Sequence, residues 1–179
     1  TEFIPILEEY RLVHELDLHI IKCVCNDIKE MSEEGTFRPL PVNVNLSRYD
    51  MGLCDIADEA ARIMQQYSVP PHMLNIELTE TAFAESNEQL GEAIERFHEL
   101  GMQVWMDDFG SGYSSLNVLR EFDFDAVKFD IFFLRSSSEA SRERSRRMLS
   151  HLIDMAKELG VQTLMEGVET QEQFEFLRT

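Results

Sequence analysis

Two adjacent aspartates at the end of a predicted strand are the strongest chemical feature of the sequence. Asp107 and Asp108 follow an apolar run that begins at Val104, and a Gly-Ser-Gly loop comes directly after Phe109. The run shows no strict alternation of apolar and polar residues, which is typical of a strand buried on both faces. Two carboxylates at the end of such a strand repel each other unless a cation lies between them. The pair alone is also compatible with two solvated loop acids, so its interpretation depends on the rest of the chain.

The elements that must position such residues alternate between strand and helix along the chain. Five short runs are predicted as strands, at residues 42–46, 74–78, 103–107, 126–129 and 161–165. Helices with apolar residues at helical spacing are predicted around them, at residues 15–31, 53–64, 90–100, 115–119, 149–159 and 171–177. Strands that recur at intervals of roughly 25 to 35 residues are typical of βα units, so the sequence predicts an α/β fold.

Polar residues stand at or just beyond the C-terminal end of every predicted strand. They are Asn45, Glu77, Glu80, Asp107, Asp108, Lys128, Asp130, Glu166 and Glu169. An open doubly wound sheet and a TIM-type barrel both fit the alternation of strands and helices. In a barrel, the C-terminal strand ends converge on one mouth, where active sites lie. We therefore expect a TIM-like (β/α)8 barrel, here incomplete with about five of its eight strands.

The types of the candidate residues indicate the chemistry that they could perform. They are mainly carboxylates, with one amide and one lysine, and no histidine or cysteine cluster accompanies them. Hard oxygen donors favour Mg²⁺ or Mn²⁺ over zinc or copper. The sequence contains no Ser-His-Asp pattern, no G-x-S-x-G motif and no phosphate-binding loop, which argues against a serine hydrolase or a nucleoside triphosphatase.

The overall charge restricts the partners of the protein. The chain has 179 residues with 34 acidic and 16 basic side chains, a formal net charge of −18. This charge argues against generic binding to DNA, RNA or an anionic membrane surface, and a phosphate substrate would need metal ions to mediate the contact. The length suits one domain, predicted over residues 1–179. The three cysteines lie in apolar helical patterns, as is typical of a reduced, cytoplasmic protein.

Five motifs give the chain a family resemblance. The segments VNVNLS, LNIELTE, MDDFGSGYSSL, VKFD and MEGVET occur in this order with helix-length spacings between them. In these motifs the chain resembles the EAL family, the bacterial phosphodiesterases that linearise the second messenger cyclic di-GMP. The resemblance extends from Phe3 to Leu177. It implies a TIM-like barrel whose mouth binds two Mg²⁺ or Mn²⁺ ions around one phosphodiester.

The resemblance implies a ligand set for both ions. Asn45, Glu77 and Asp107 would hold the first ion. Asp107 would bridge to the second ion. Asp108 and Glu166 would complete the ligands of that ion and would act in catalysis through it. Two ions roughly 3.5–4 Å apart can deprotonate a bridging water near neutral pH and offset charge in the transition state. In-line attack by the hydroxide would give linear pGpG.

The remaining candidate residues would surround this ligand set. By the same resemblance, Lys128 would orient or polarise the attacking water, and Asp130 would support the site beside it. Glu80 resembles the acid with which the family anchors the loop after the paired aspartates, and Glu169 would be a further partner outside the ligand set. For Glu80 and Glu169 a simple capping role remains an alternative, because acids near the start of a helix stabilise its dipole.

The chain departs from the family pattern at both ends. The Glu-Ala-Leu strand that names the family would precede Thr1; its Glu is a metal ligand, and an Arg close to it contacts phosphate. The family's closing Gln-Gly-Tyr strand would follow Thr179. These departures account for a barrel that is three strands short. We expect the chain to be part of a longer protein rather than a truncated relative, because the other metal-site positions are all present.

The sequence therefore predicts a cyclic di-GMP phosphodiesterase domain in a cytoplasmic protein, or in the cytosolic module of a larger membrane-attached one. The first alternative is a catalytically inactive EAL-like domain that serves as a cyclic di-GMP sensor or a protein-interaction module. The second is an unrelated Mg²⁺-dependent barrel in which Lys128 abstracts a proton. A homodimer and additional signalling domains in the parent chain stay open, and no contact with DNA, RNA or a membrane is expected from this segment.

Overall fold

Helices and strands alternate along the chain, as the sequence predicts. The computed structural model describes residues 3–35, 39–52, 54–83, 88–110, 115–130, 133 and 139–178. The helices are α1 (Ile4–Glu9), α2 (Val13–Glu34), α3 (Ile56–Tyr67), α4 (Glu88–Glu99), α5 (Ser115–Glu121), α6 (Glu139–Glu158) and α7 (Gln171–Leu177). The strands are β1 (Val42–Asn45), β2 (Leu74–Thr79), β3 (Gln103–Phe109), β4 (Ala126–Phe129) and β5 (Gln162–Met165).

The two longest helices follow the amphipathic pattern of their sequences. Helix α2 buries a stripe that runs from Val13 to Ile28, and it ends at Gly35, whose φ of 65° is the left-handed conformation common after a helix. Helix α6 already begins at Glu139, earlier than its apolar stripe predicts, because the arginines and glutamates before that stripe also favour a helix. Among the described residues, no helix is both long enough and apolar enough to cross a membrane.

The contacts within the chain group it into two compact units. The first contains residues 1–78 and 82–104, and the second contains residues 79–81 and 105–179. Strands β1 and most of β2 belong to the first unit with helices α1 to α4, and β4 and β5 belong to the second with helices α5 to α7. The single domain expected over residues 1–179 stays a prediction.

In the first unit, a pair of parallel strands has one polar and one apolar face. Asn43 lies beside Asn75, and Asn45 lies beside Glu77 in the register of β1 and β2. Because successive side chains of a strand point to opposite faces, these four polar residues share one face. The other face is apolar and buried; it carries Val44, Leu74, Ile76 and Leu78.

In the second unit, β4 pairs in parallel with β3 on one side and β5 on the other. Strand β3 does not have the expected burial on both faces, so that prediction is wrong. Val104 and Met106 are completely buried, whereas Trp105 and Asp107 on the other face are only half-buried. One face of β3 therefore packs in the core, and the other is partly open toward the residues predicted to do chemistry.

A buried group of acids lies in the first unit, where β1 leads into its following loop. Asp17 of α2 and Asp50 are 6% and 0% exposed. The backbone N–H of Ser47 donates to both carboxyl groups, at 3.2 Å and 2.8 Å, and the Ser47 hydroxyl donates to Glu8. Burial, followed by the hydrogen bond and charge of Asp17, raises the pKa of Asp50 to about 8. At neutral pH, Asp50 is therefore mostly protonated.

Replacing Asp50 by Asn should stabilise the protein at pH 8 and make little difference near pH 4. The pKa of Asp50 is raised from 3.8 to about 8 in the folded chain. Its protonated form therefore contributes stability that is complete below about pH 4 and is lost as the pH rises toward 8. Asn stays neutral throughout, so between pH 4 and pH 8 the variant should keep stability that the wild type loses at up to about 1.4 kcal/mol per pH unit. Urea unfolding at both pH values measures the difference.

The control is Asp55→Asn, which removes an exposed carboxylate from the same part of the chain. It should leave the pH dependence of unfolding unchanged. If Asp50→Asn and the wild type lose stability equally between pH 4 and pH 8, Asp50 does not hold a proton in the folded protein.

Candidate active site

A β-bulge at the end of β3 presents the paired aspartates. Between Met106 and Phe109, β3 contains one residue more than its partner strand β4. Asp108 lies within this bulge with φ 56°, in the left-handed region that Asp tolerates better than most residues. Its backbone N–H donates to Asp107 Oδ1 at 2.9 Å. In a regular strand the two side chains would point to opposite faces, and a bulge is the usual device that re-aims one of them.

Lys128 of β4 connects a carboxylate near the end of β3 with one that directly follows β5. Its Nζ lies 3.1 Å from Asp107 Oδ1 and 2.8 Å from Glu166 Oε1. Lys128 is 8% exposed and Asp107 is half-buried, so water screens their ion pair only weakly. A buried ammonium group is tolerated when carboxylates compensate its charge, and the two acids do so here. The lysine therefore holds Asp107 and Glu166 on either side of one positive charge.

Negative charge concentrates around Asp108. Burial is the largest cause that raises the pKa of this carboxyl above its ordinary value, and the charges of Asp107, Asp130 and Glu166 add to it. Lys128 acts in the opposite direction. Each of these three acids is close enough to Asp108 to repel its charge, and a cation beside Asp108 would relieve the repulsion.

Glu80 holds the backbone of the loop that follows the aspartates. This side chain is 4% exposed, and its Oε2 accepts a hydrogen bond of 2.9 Å from the backbone N–H of Gly110. Gly110 has φ 90°, and a Cβ at this position would collide with the ring of Phe133, so only glycine fits here. Residues 111–114, which continue the loop, lie outside the described part of the chain.

The first unit brings two other candidate ligands together. Asn45 and Glu77 are register neighbours on the polar face of β1 and β2; Glu77 is 4% exposed and Asn45 is exposed. Asn43 Nδ2 donates to Glu77 Oε1 at 2.7 Å, and Asn75 Nδ2 donates to Asn43 Oδ1 at 2.9 Å. Asn43 and Asn75 are absent from the set identified in the sequence. The signal that could have found them is the pair of patterns Asn-x-Asn and Asn-x-Glu, which places all four side chains on one face.

Glu169 lies at the start of the last helix. It is exposed, and its backbone N–H donates to Gln173 Oε1 at 2.8 Å. Thr170 and Gln173 form a reciprocal capping box at the start of α7. The position of Glu169 directly before this cap agrees with the alternative in which an acid here serves the helix start.

The donor chemistry of the candidate residues suits a hard divalent cation. Every candidate ligand offers a carboxylate or amide oxygen, which are the donors that Mg²⁺ and Mn²⁺ prefer. Over the described ranges, no three His, Cys, Asp or Glu side chains form a ready-made ligand group. The ammonium group of Lys128 already lies between Asp107 and Glu166, and the repulsion around Asp108 remains. The donor set therefore fits such an ion, which would share the acids with Lys128.

The chain is similar to known proteins over most of its length. The cyclic di-GMP phosphodiesterase NbdA of Pseudomonas aeruginosa is 33% identical over 176 residues, which cover 98% of this chain and 22% of NbdA. The EAL domain of Mycobacterium smegmatis DcpA has a TM-score of 0.82 at 26% identity, over 93% of this chain and 74% of that one. The PaMucR phosphodiesterase in its cyclic di-GMP complex has a TM-score of 0.83 at 25% identity, over 99% and 76%. The chain thus spans about a fifth of NbdA.

The family assignment follows from these similarities. The family model described as EAL domain matches residues 1–179. The solved EAL domains confirm the predicted fold class, an α/β TIM-like barrel, and the described residues contain five of its strands. The resemblance carried by the five sequence motifs is confirmed as well. The chain belongs to the EAL domain family.

Proposed function

We propose that the chain is the hydrolytic domain of a cytoplasmic cyclic di-GMP phosphodiesterase, which opens the cyclic dinucleotide to linear pGpG. The observation that carries the proposal is the pairing of buried Lys128 with Asp107 and Glu166 at the C-terminal ends of neighbouring parallel strands. The names of NbdA and PaMucR, a cyclic di-GMP phosphodiesterase and a phosphodiesterase in complex with cyclic di-GMP, support the substrate. The chain covers 22% of NbdA, so the match concerns one part of that protein. The activity of the whole protein to which this chain belongs is therefore also a proposal.

Two divalent ions, Mg²⁺ or Mn²⁺, belong to the proposal. Asn45, Glu77 and Asp107 would supply ligands to one ion, and Asp107, Asp108 and Glu166 would supply ligands to the other. When bound, such ions lower the pKa of a coordinated water and offset the charge that develops on the phosphate. The support for these ligands is their oxygen-donor chemistry and the repulsion that a cation near Asp108 would relieve.

The side chains of the protein would position and polarise the reacting groups. Lys128 Nζ, held by Asp107 and Glu166, would donate a hydrogen bond to the attacking water or to a phosphate oxygen. The water oxygen would bond to phosphorus in line with the leaving 3′ oxygen and give up one proton, the P–O bond to the 3′ oxygen would break, and that oxygen would take up a proton. Asp130 would support Lys128 from beside the site. Glu80 would keep the loop after the aspartates in place through Gly110.

A catalytically silent sensor of cyclic di-GMP is the second candidate function. Such a domain would bind the dinucleotide and leave it intact. The substrate chemistry is the same in both proposals, so only measurement of hydrolysis together with binding separates them.

Hydrolysis of cyclic di-GMP to pGpG in the presence of Mn²⁺ tests the proposed function. The rate is measured for this 179-residue chain and for a longer form that carries the family's Glu-Ala-Leu strand and its closing strand. We expect the longer form to be at least about 10–100-fold faster, because loss of even an outer partner of a metal site costs that much. The short form would lack a ligand.

Three other outcomes would change the assignment. Equal rates in the two forms would show that the Glu-Ala-Leu strand is dispensable and that the residue roles must be redrawn. A longer form that binds cyclic di-GMP without hydrolysing it would favour the silent sensor. A longer form that neither binds nor hydrolyses it would refute both proposals.

A further inference from the structure

We propose that Asn43 and Asn75 are positioning residues that fix the carboxylate of Glu77 through a directional chain of amide hydrogen bonds. The inference rests on the proposed function, because it takes Glu77 as a metal ligand. It adds two residues that the sequence motifs do not identify. Neither would touch the substrate or the metal ion, so both would act through Glu77.

The geometry of the chain is set by the register of two strands. Asn43 and Asn75 are direct neighbours on β1 and β2, one register step before the pair Asn45 and Glu77. All four side chains therefore share the polar face of the strand pair. Asn75 is 4% exposed and Glu77 is 4% exposed, so water cannot easily replace the hydrogen bonds between them and Asn43.

The chemistry of the groups fixes the direction of the chain. An ionised carboxylate only accepts hydrogen bonds, so Asn43 must turn its NH₂ group toward Glu77 Oε1, at 2.7 Å. Its carbonyl oxygen then points away from Glu77 and accepts from Asn75 Nδ2 at 2.9 Å. Each amide has one orientation that satisfies its partners. The orientation of Glu77 is therefore coupled to both asparagines.

This coupling matters for the carboxylate that Glu77 presents. With Oε1 held by Asn43, the rotation of the carboxylate is restricted, and its other oxygen is presented in one direction. Ligands of a metal ion are commonly held by such outer hydrogen bonds, and their loss typically weakens metal binding by about 10–100-fold. A purely structural role would instead require only that the two amides satisfy each other in a buried place.

A double variant separates positioning from structural support. Asn43→Leu alone should lower the melting temperature, because it leaves the buried amide of Asn75 without its partner. Asn43→Leu combined with Asn75→Leu should regain part of that stability, because the unpaired amide of Asn75 is gone while Glu77 still lacks its donor. We expect both variants to bind Mn²⁺ about 10–100-fold more weakly than the wild type, since each lacks the donor to Glu77. Calorimetric titration with MnCl₂ measures the affinity, and differential scanning calorimetry measures the stability.

Ile76→Val is the matched control, because Ile76 lies between Asn75 and Glu77 but points to the apolar face and is completely buried. It should lower the melting temperature and leave Mn²⁺ affinity unchanged. Wild-type Mn²⁺ affinity in the double variant would overturn the inference, since the amides would then serve stability alone. An equal loss of affinity in Ile76→Val would overturn it as well.

The readout distinguishes this inference from the proposed function. A wild type that binds Mn²⁺ but hydrolyses no cyclic di-GMP would refute the proposed activity, while the order of Mn²⁺ affinities would still support or overturn the role of the asparagines. A wild type that binds no Mn²⁺ would overturn the inference together with the proposed metal site.

Discussion

Replacing Asp107 by Asn should weaken Mn²⁺ binding by at least about 100-fold, more than the loss of any other single acid, because Asp107 would contribute to both ions. The half-buried side chain already compensates Lys128 at 3.1 Å, and an amide cannot supply that negative charge. At a Mn²⁺ concentration 100 times the wild-type Kd, binding of one ion stabilises the folded wild type by about 2.7 kcal/mol. A 100-fold weaker variant would keep only about 0.4 kcal/mol of this. Calorimetric titration and thermal unfolding, each with and without Mn²⁺, measure the two effects.

Asp154→Asn is a matched control, since it removes an exposed carboxylate from α6 in the same unit. This variant should bind Mn²⁺ like the wild type. Unchanged Mn²⁺ affinity in Asp107→Asn would rule out the two-ion site. If Asp108→Asn lost more affinity than Asp107→Asn, the bridging role would have to move to the residue in the bulge.

The strands and the placement of polar residues at their ends could be predicted from the sequence for a physical reason. A buried parallel strand needs a short apolar, β-branched run, and the chain contains few such runs outside its helices. Glu77 and Lys128 stand out because polar side chains in those runs are costly to bury without a partner. The structure gives Glu77 and Lys128 such partners, in Asn43 and in two carboxylates.

The bulge in β3 could not be predicted, because it depends on register with β4 rather than on the sequence of β3 alone. Sequence alternation would place Asp107 and Asp108 on opposite faces. The extra residue and the left-handed φ of Asp108 are visible only once the two strands are paired. The same holds for Asn43 and Asn75, which become partners only through the register of β1 and β2. The register of two strands decides which polar side chains meet across them. A one-residue slip would turn those side chains to the other face.

Replacing Lys128 by Met should slow hydrolysis of cyclic di-GMP by about 100-fold or more, because a positioned hydrogen-bond donor or proton-transfer group typically contributes that much. It should also destabilise the metal-free protein by about 1–3 kcal/mol, since Asp107 and Glu166 would lose the cation between them. This expected loss of stability is smaller than the loss for a fully buried ion pair, because the side chain of Glu166 is 46% exposed. Rates of pGpG formation and urea unfolding without metal measure the two effects.

Mn²⁺ should then stabilise Lys128→Met more than it stabilises the wild type. In the wild type the ammonium group and a metal ion would compete for the same acids, whereas in the variant the metal ion alone would relieve the repulsion that Asp107, Asp130 and Glu166 exert on Asp108. The control is Lys157→Met, which removes an exposed lysine from the last turn of α6 and should change neither the rate nor the response to Mn²⁺. An equal rise in melting temperature with Mn²⁺ in the wild type and in Lys128→Met would show that the ammonium group does not compete with the ion. An unchanged rate of hydrolysis would remove Lys128 from the mechanism, because its position between the two acids would then serve stability alone.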